Sequence, residues 1–455
     1  MLRRYDRPGP RYTSYPTAPH FSSVFGEREF RRAAADTSAA DPARNLSLYV
    51  HVPFCSSPCL YCGCNRVITR SVERGAAYVE RLKREIGLVA PLFGRREALQ
   101  LHFGGGTPNF LTPTQLGDVI GCLRSHFDFT TGAARELSIE IDPRFTRAGD
   151  FADLAGYGVN RVSLGVQDFD TEVQLAVNRV QSEAQTVAAV DACRAAGIDS
   201  INIDLMYGLP RQTTASFRRT VEAVIAIRPT RLAVYGYAHM PQIFKPQRRI
   251  HADELPDPQM RIRLLATAIE LFSDAGYRYI GMDHFALPQD ELVKAQSSGS
   301  LHRNFMGYTT HAGCDLLGFG VSSISHLGST YSQNPRDLDS WEAAIDAQRL
   351  PVWRGLQLDG DDVLRADVIG RIMCQGELDV TAIENQYGID FWTYFGAARA
   401  QLAQLEADGL VWNCSSRLLA SEQGRYLLRV IAGCFDRYLG PQSHREPAGA
   451  YSKVV

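Results

Sequence analysis

Between residues 46 and 237 the apolar positions fall into two alternating rhythms. Short β-branched runs at 46–53, 99–103, 136–141, 161–166, 200–206 and 231–237 read as strands. Segments 77–92, 114–127, 183–196 and 214–227 carry apolar residues at every third or fourth position and read as helices. Apolar strands spaced by such helices predict a parallel sheet covered by helices, an α/β fold. Six repeats rather than eight predict an incomplete (β/α)6 barrel, although spacing alone does not separate it from an open doubly wound sheet. Polar and glycine residues gather just past the strands: a cysteine-rich loop after the first, Gly104 to Thr107 after the second, then Asp142, Gln167 and Gly208. In parallel α/β folds the carboxyl ends of the strands carry the chemistry, so these segments converge on one rim.

Past residue 240 the rhythm changes to a helix at 259–275, the run Tyr279-Ile280-Gly281-Met282-Asp283-His284-Phe285, and an apolar, glycine-rich stretch at 316–327. From 357 the pattern is mainly helical, at 363–373, 383–387 and 391–407, then a hairpin-like stretch after Gly409 and a helix at 424–438. That order resembles a winged helix. Arg417, Arg425, Arg429 and Arg437 have no supporting lysines or basic arm, so a covering domain is the better reading than DNA binding. The expected division is an N-terminal covering segment (1–44), a catalytic barrel with its extension (45–356) and a mainly helical C-terminal domain (357–455).

The chain has 455 residues, enough for one large barrel with an appendage or for two to three domains. Its 48 Lys and Arg against 50 Asp and Glu leave a net charge of -2, with no global footprint for nucleic acid or an anionic membrane. The basic start, Met1-Leu2-Arg3-Arg4, is not followed by the apolar stretch of a secretory signal, and no apolar run is long enough to span a bilayer. A cytoplasmic protein without a membrane span is therefore expected. Of ten cysteines, four crowd into one window, Cys55, Cys59, Cys62 and Cys64. In such a chain a disulfide framework is the weak reading and metal or redox chemistry the strong one.

The spacing Cys55-x3-Cys59-x2-Cys62 lacks the second ligand pair that a tetrahedral zinc site needs some 12 to 20 residues away. Three thiolates in one short loop suit three irons of a [4Fe-4S] cube, leaving the fourth iron open. Cys64, one residue beyond Cys62, would strain the loop as a fourth ligand and is placed outside the iron shell. An open-iron cluster beside a glycine turn on a barrel rim is the arrangement that binds S-adenosylmethionine and generates a carbon radical from it.

Several motifs resemble one family. They are Tyr49-Val50-His51-Val52-Pro53-Phe54-Cys55, the loop ending Cys62-Gly63-Cys64-Asn65, Gly104-Gly105-Gly106-Thr107-Pro108, Ser138-Ile139-Glu140-Ile141-Asp142-Pro143, Gly165-Val166-Gln167-Asp168-Phe169, Asn202-Ile203-Asp204-Leu205, Gly281-Met282-Asp283-His284-Phe285 and His302-Arg303-Asn304-Phe305. With Pro10-Arg11-Tyr12-Thr13-Ser14-Tyr15-Pro16-Thr17 and the terminal Tyr451-Ser452-Lys453, they look like the oxygen-independent coproporphyrinogen III oxidases of the radical S-adenosylmethionine class, over nearly the whole chain.

That resemblance implies a haem-biosynthetic decarboxylase that converts two propionates of coproporphyrinogen III to the vinyl groups of protoporphyrinogen IX. It implies cluster ligation by Cys55, Cys59 and Cys62, and an S-adenosylmethionine site at Tyr49, Gly105, Glu140 and Ile324. A second S-adenosylmethionine is implied at Tyr61, Gly106, Thr107, Gln167, Arg179, Asp204 and Ala238, with His51, Tyr49 and Glu140 nearest the catalysis. A flavodoxin- or ferredoxin-like electron donor and a monomeric state are expected with it. Judged alone, Tyr49 reads equally as barrel core, His51 as a packed histidine, Glu140 as a strand-end polar residue and Arg179 as half of a surface ion pair.

The chain departs from the family where Asn304-Phe305-Met306-Gly307-Tyr308 carries Met306 in place of glutamine, removing an amide donor expected near the second S-adenosylmethionine. Two alternatives stand beside the decarboxylase: a related methyltransferase or cyclopropanase, and a haem chaperone. Chaperones of this kind typically lack counterparts of Cys64 and the N-terminal segment. The four propionates call for local cations on a chain of net charge -2, and Arg3, Arg4, Arg7 and Arg11, folded over the barrel mouth with Arg303, are the candidates.

Overall fold

The computed structural model describes residues 2–5, 8–132, 134–439 and 451. Six parallel strands form its centre: β1 (Leu46–Val52), β2 (Glu97–Gly105), β3 (Glu136–Ile141), β4 (Arg161–Gln167), β5 (Ser200–Tyr207) and β6 (Arg231–Gly236). The chain then adds β7 (Arg278–Gly281), β8 (His284–Ala286), β9 (Asp315–Phe319), β10 (Ile324–Leu327), β11 (Thr330–Gln333) and β12 (Arg354–Gln357). The order is β7-β8-β6-β5-β4-β3-β2-β1-β9-β10-β11-β12, with β9 parallel to β1 and the remaining added pairs antiparallel. The six central strands form the expected incomplete α/β barrel, one of the two arrangements that the strand spacing left open, and the strands added on both of its edges were not expected.

The helices start where polar side chains can satisfy their first N–H groups. Val72–Val89 is capped by Ser71, Pro113–His126 by a Thr112/Gln115 box, Glu183–Ala195 by Ser182/Gln185 and Thr214–Ile227 by Thr213/Ser216. Helices that escape the sequence pattern include Glu27–Ala40, Ala148–Gly156 and Thr171–Ala176. The first precedes the first barrel strand, and the last two are too short to show a clear 3.6-residue period.

The barrel is apolar outside and polar inside. Along β4 the buried Val162, Leu164 and Val166 alternate with partly exposed Arg161, Ser163, Gly165 and Gln167. Along β5 the buried Ile201, Ile203 and Leu205 alternate with Ser200, Asn202, Asp204 and Met206. The apolar set joins the main core beneath the helices. The other set lines an interior that an ordinary closed barrel would fill with branched apolar side chains.

The C-terminal region holds the expected helices, with corrections. Gly360–Gln375 and Val380–Tyr387 form, but the helix expected at 391–407 breaks at Gly396 into Phe391–Tyr394 and Ala398–Ala407. The one expected at 424–438 is a tight turn (Gly424–Leu427), a short helix (Leu428–Gly433) and a final turn. The hairpin Val411–Cys414/Arg417–Ala420 pairs with Glu377–Asp379. Tyr5, Tyr12 and Tyr15 of the N-terminal segment are buried in the same apolar cluster as Leu364, Val368 and Phe435. Arg429 donates to the carbonyls of Gly9 and Pro10, and the Tyr12 hydroxyl donates to Asp436 (2.9 Å). Among the described residues no helix is long and apolar enough to cross a membrane.

Candidate active site

The strand ends place the cysteine loop against a cavity of about 260 Å3. Cys55, Cys59 and Cys62 border it together with Cys64, Gly105, Gly106, Thr107, Glu140, Asp142, Gln167, Arg179 and Asp204. The loop is tied down on both flanks. The short strand Phe54–Cys55 pairs with Val67–Ile68, and Leu60 N–H donates to the Val177 carbonyl (2.9 Å). Thr107 Oγ1 lies 3.2 Å from Cys55 Sγ.

Two guanidiniums reach the second cysteine: Arg144 Nη2 at 3.6 Å and Arg179 Nη1 at 3.5 Å from Cys59 Sγ. Both also pair with Asp142, at 2.7 and 3.0 Å. Burial would raise the Asp142 carboxyl, but these two cations hold it below the usual range. A hydrogen bond with Cys64 and the nearby charge of Arg66 bring the Cys62 thiol down to about 6, whereas burial pushes Cys55 up to about 11.

Among the described residues no group of three or more His, Cys, Asp or Glu is close enough to hold a single metal ion. The donor set is instead three thiols spread around one cavity wall, flanked by arginines that compensate negative charge. That chemistry fits a cluster whose cysteines each ligate a different iron.

Behind the glycine turn, His51 is buried and its environment lowers its pKa, chiefly through desolvation, so the ring is neutral. Its Nε2 lies 3.0 Å from the Asn65 carbonyl and must donate there, leaving Nδ1 to accept from the Tyr49 hydroxyl (3.1 Å). A Cβ on Gly105, where φ is +113°, would lie 2.5 Å from the imidazole, so only glycine allows this approach. Gly105 N–H donates to Glu140 Oε2 (3.2 Å), and His102 Nε2 lies 3.4 Å from Glu140 Oε1. Asp204 accepts from Ser163 Oγ (2.9 Å) and Asn202 Nδ2 (2.7 Å). It has no ion pair among the described residues. Burial, reinforced by the charge of Glu140, pushes it up to about 6. Gln167 sits at φ +73°, an uncommon conformation for a side-chain-bearing residue, and lines the cavity where β4 leaves the sheet.

A second cavity of about 130 Å3 continues into the barrel, sharing Glu140, Ser163, Asp204 and Tyr235 with the first and reaching Met306. Tyr49 and His51 stand behind the cavity wall. Ala238 and Ile324 border neither cavity: the Ala238 carbonyl accepts from Gln247, and Ile324 packs with Phe21, Tyr331 and Leu358. Sequence reasoning missed Arg144, His102, Ser163 and Tyr235 as site residues. Arg144 stands two residues past Asp142 on the rim, and the others occupy inward positions of the period-two alternation, which is the signal that could have found them.

A sequence model of the Radical SAM superfamily matches residues 49–224, and one of the HemN C-terminal domain matches residues 358–427. The chain is 48% identical to the oxygen-independent coproporphyrinogen III oxidase of Pseudomonas aeruginosa, over 100% of this chain and 98% of that one. It is 44% identical to the Escherichia coli K12 protein of that name, over the same shares. The chain belongs to the oxygen-independent coproporphyrinogen III oxidase family. The fold agrees with the solved Escherichia coli coproporphyrinogen III oxidase (HemN), described as a radical SAM enzyme: TM-score 0.91 at 46% identity, covering 94% of this chain and 98% of that one. In this oxidase-family chain the cysteine loop and the inward residues of β2 to β5 fall within the segment matched to the superfamily.

Proposed function

We propose that the chain catalyses oxygen-independent oxidative decarboxylation of coproporphyrinogen III to protoporphyrinogen IX. Identity of 48% and 44% over the full chain to proteins of that name carries the reading and favours it over methylation, cyclopropanation or haem chaperoning. Each reacting propionate loses a hydrogen atom from its β-carbon, then carbon dioxide and one electron, leaving a vinyl group. The electron leaves to an external acceptor. When bound, the [4Fe-4S] cluster and S-adenosylmethionine supply the hydrogen-abstracting carbon radical by one-electron cleavage of the sulfonium.

In this reading Cys55, Cys59 and Cys62 hold the cluster, and Arg144 and Arg179 offset its charge. Glu140 and Asp204 accept from ammonium or ribose hydroxyl groups. Asp204, Gln167, Arg179 and Met306 border the space proposed for a second S-adenosylmethionine. The neutral His51 holds Gly105 and Tyr49 in place. Arg303 stacks on Tyr308 (4.7 Å) with Nε and Nη1 buried and without a partner among the described residues, so it suits a substrate carboxylate. Arg11 stands over Tyr235 (5.6 Å) and pairs with Asp283 (3.0 Å). Arg4 instead pairs with Asp408 of the C-terminal region, while the Arg3 side chain and Arg7 lie outside the described residues.

The chain is proposed to act as a cytoplasmic monomer, reduced by a flavodoxin- or ferredoxin-like protein. The test is anaerobic reconstitution with iron and sulfide, then addition of reductant, S-adenosylmethionine and coproporphyrinogen III. 5′-Deoxyadenosine, carbon dioxide and protoporphyrinogen should form together. Methylated product without carbon dioxide, or haem binding without cofactor cleavage, sinks the reading.

A further inference from the structure

The outer surface around the cysteine loop differs from the rest of the molecule. Eleven large apolar side chains are exposed among the described residues, and six of them border this loop: Ile68, Val72, Phe145, Leu175, Val180 and Ile243. Contacts made by these residues or their chain neighbours fix their place. Ile68 is the register partner of Cys55. Phe145 lies beneath Arg144, the residue that reaches Cys59. Leu175 and Val180 flank Val177 and Asn178, which bind the backbone of Leu60 and Pro58. Ile243 adjoins Phe244, whose ring lies against Gly63. Isolated exposed apolar residues are ordinary, but this concentration at one site is not.

Charge adds a second, independent observation. Arg70, Lys245, Arg248 and Arg336 are exposed in this ring and make no ion pair among the described residues. Arg70 donates to the Ser56 carbonyl (3.5 Å), and the Arg336 carbonyl accepts from Asn65 (2.8 Å), so both adjoin the loop. Of the carboxylates nearby, Asp150 pairs with Arg147 and Glu172 with Arg211, while Glu73 and Asp337 keep their charge and accept from neutral donors at helix starts, so the four cations outnumber the two unpaired carboxylates. A chain of net charge -2 thus carries a local excess of cations interspersed with exposed apolar residues beside the cysteine loop.

From this we infer that the face over the cysteine loop is the docking surface for an acidic one-electron carrier protein bearing a surface-exposed flavin or iron–sulfur group. The inference rests on the proposed radical chemistry, which requires an electron from outside. The chain's other six cysteines are scattered along the sequence, outside the loop. Exposed apolar side chains with unpaired cations among them match the small, electrostatically steered contacts of redox partners, in which charge sets the association rate. Each encounter moves one electron, oxidising the carrier by one and reducing the cluster by one.

The test compares two reductants on the reconstituted full chain. Reduced flavodoxin and dithionite are each mixed anaerobically with wild type and with a Lys245→Glu/Arg248→Glu variant, and bleaching of the cluster absorbance is timed without substrate. The bimolecular rate with flavodoxin should fall at least tenfold in the variant and fall with added salt in wild type. The dithionite rate should stay within twofold. An unchanged flavodoxin rate overturns the docking surface, as does an equal loss with both reductants, which would make these residues structural. Leu175→Ser/Val180→Ser, read the same way, tests the apolar side chains. Failure of the decarboxylase reading would show separately, as absence of carbon dioxide from dithionite-driven wild type while cluster reduction proceeds.

Discussion

The two ends of the same barrel strands solve opposite problems. At the amino-terminal base Glu136 meets Arg161 (2.9 Å) and accepts from Gln100 (2.8 Å). Arg161 and Arg231 both meet Glu291, at 2.5 and 2.9 Å, and Arg231 also meets Asp290 (2.8 Å). Burial would raise these carboxyls, yet the guanidiniums hold Glu136 below its usual range and Glu291 at about 2. At the carboxyl-terminal rim Asp204 has only neutral donors and is pushed up to about 6. Ion pairing at the base lets charged side chains fill that end of the barrel interior. The unmatched carboxylate at the rim is stable in use only with a ligand that brings donors or positive charge.

Breaking the loop tests the functional end most severely. Replacing Cys55, Cys59 or Cys62 singly by Ala should abolish the intact cluster's electronic spectrum and lower turnover by about 10^3-fold or more, equivalent to about 4 kcal/mol of barrel-rim chemistry. The unfolding midpoint of the metal-free chain should hardly move. A variant that keeps both spectrum and turnover removes that cysteine from the ligand set.

The base should show the reverse. Arg161→Leu strands Glu136 and part of Glu291 in a buried setting, where loss of one partner is expected to destabilise by about 3 to 5 kcal/mol. Urea unfolding should report that loss. Cluster content per folded molecule should be unchanged. If stability holds while cluster assembly fails, the base is part of the site and the contrast between the ends collapses.

The repeat rhythm was legible in the sequence because outward-facing Val, Ile and Leu on β4 and β5 alternate with polar residues and the intervening helices are amphipathic. The cysteine loop was legible because ligand spacing is a local property. Long-range partners were not. Nothing local says that Arg144 turns back to Cys59, that Arg4 pairs with Asp408 rather than at the barrel mouth, or that Ile324 packs beside Phe21. The edge strands β10 to β12 and Glu27–Ala40 were likewise invisible, since their pattern depends on which neighbour covers them.

The rim's unmatched carboxylate also has a pH signature. Asp204 titrates near 6 in the fold against 3.8 when unperturbed. Between those values the native chain holds a proton that the unfolded chain has released, so stability falls as pH rises through the window. The penalty is complete above pH 6 and amounts to at most about 3 kcal/mol, screening from the open cavity reducing it. Asp204→Asn should flatten the ligand-free unfolding free energy between pH 4 and 7 and raise it at neutral pH, while weakening S-adenosylmethionine binding. Equal slopes for variant and wild type would mean that Asp204 is already compensated.

Met306 gives the mildest probe, because it lies in the interior cavity between the two ends, beside Tyr235 and within the wall shared with Asp204. Its backbone N–H donates to Asn304 Oδ1 (2.9 Å), so the turn itself is independent of the side chain. A thioether offers no hydrogen-bond donor to a ligand there. Met306→Gln restores an amide of similar length, and one added hydrogen bond is worth about 1 kcal/mol. Binding at the proposed second S-adenosylmethionine position should tighten by about three- to fivefold, read by equilibrium binding stoichiometry, with no change in unfolding midpoint. If the variant binds S-adenosylmethionine as wild type does, position 306 contacts no ligand. The departure from the family pattern would then concern how the interior packs above the paired base, and the unmatched chemistry would be confined to the rim.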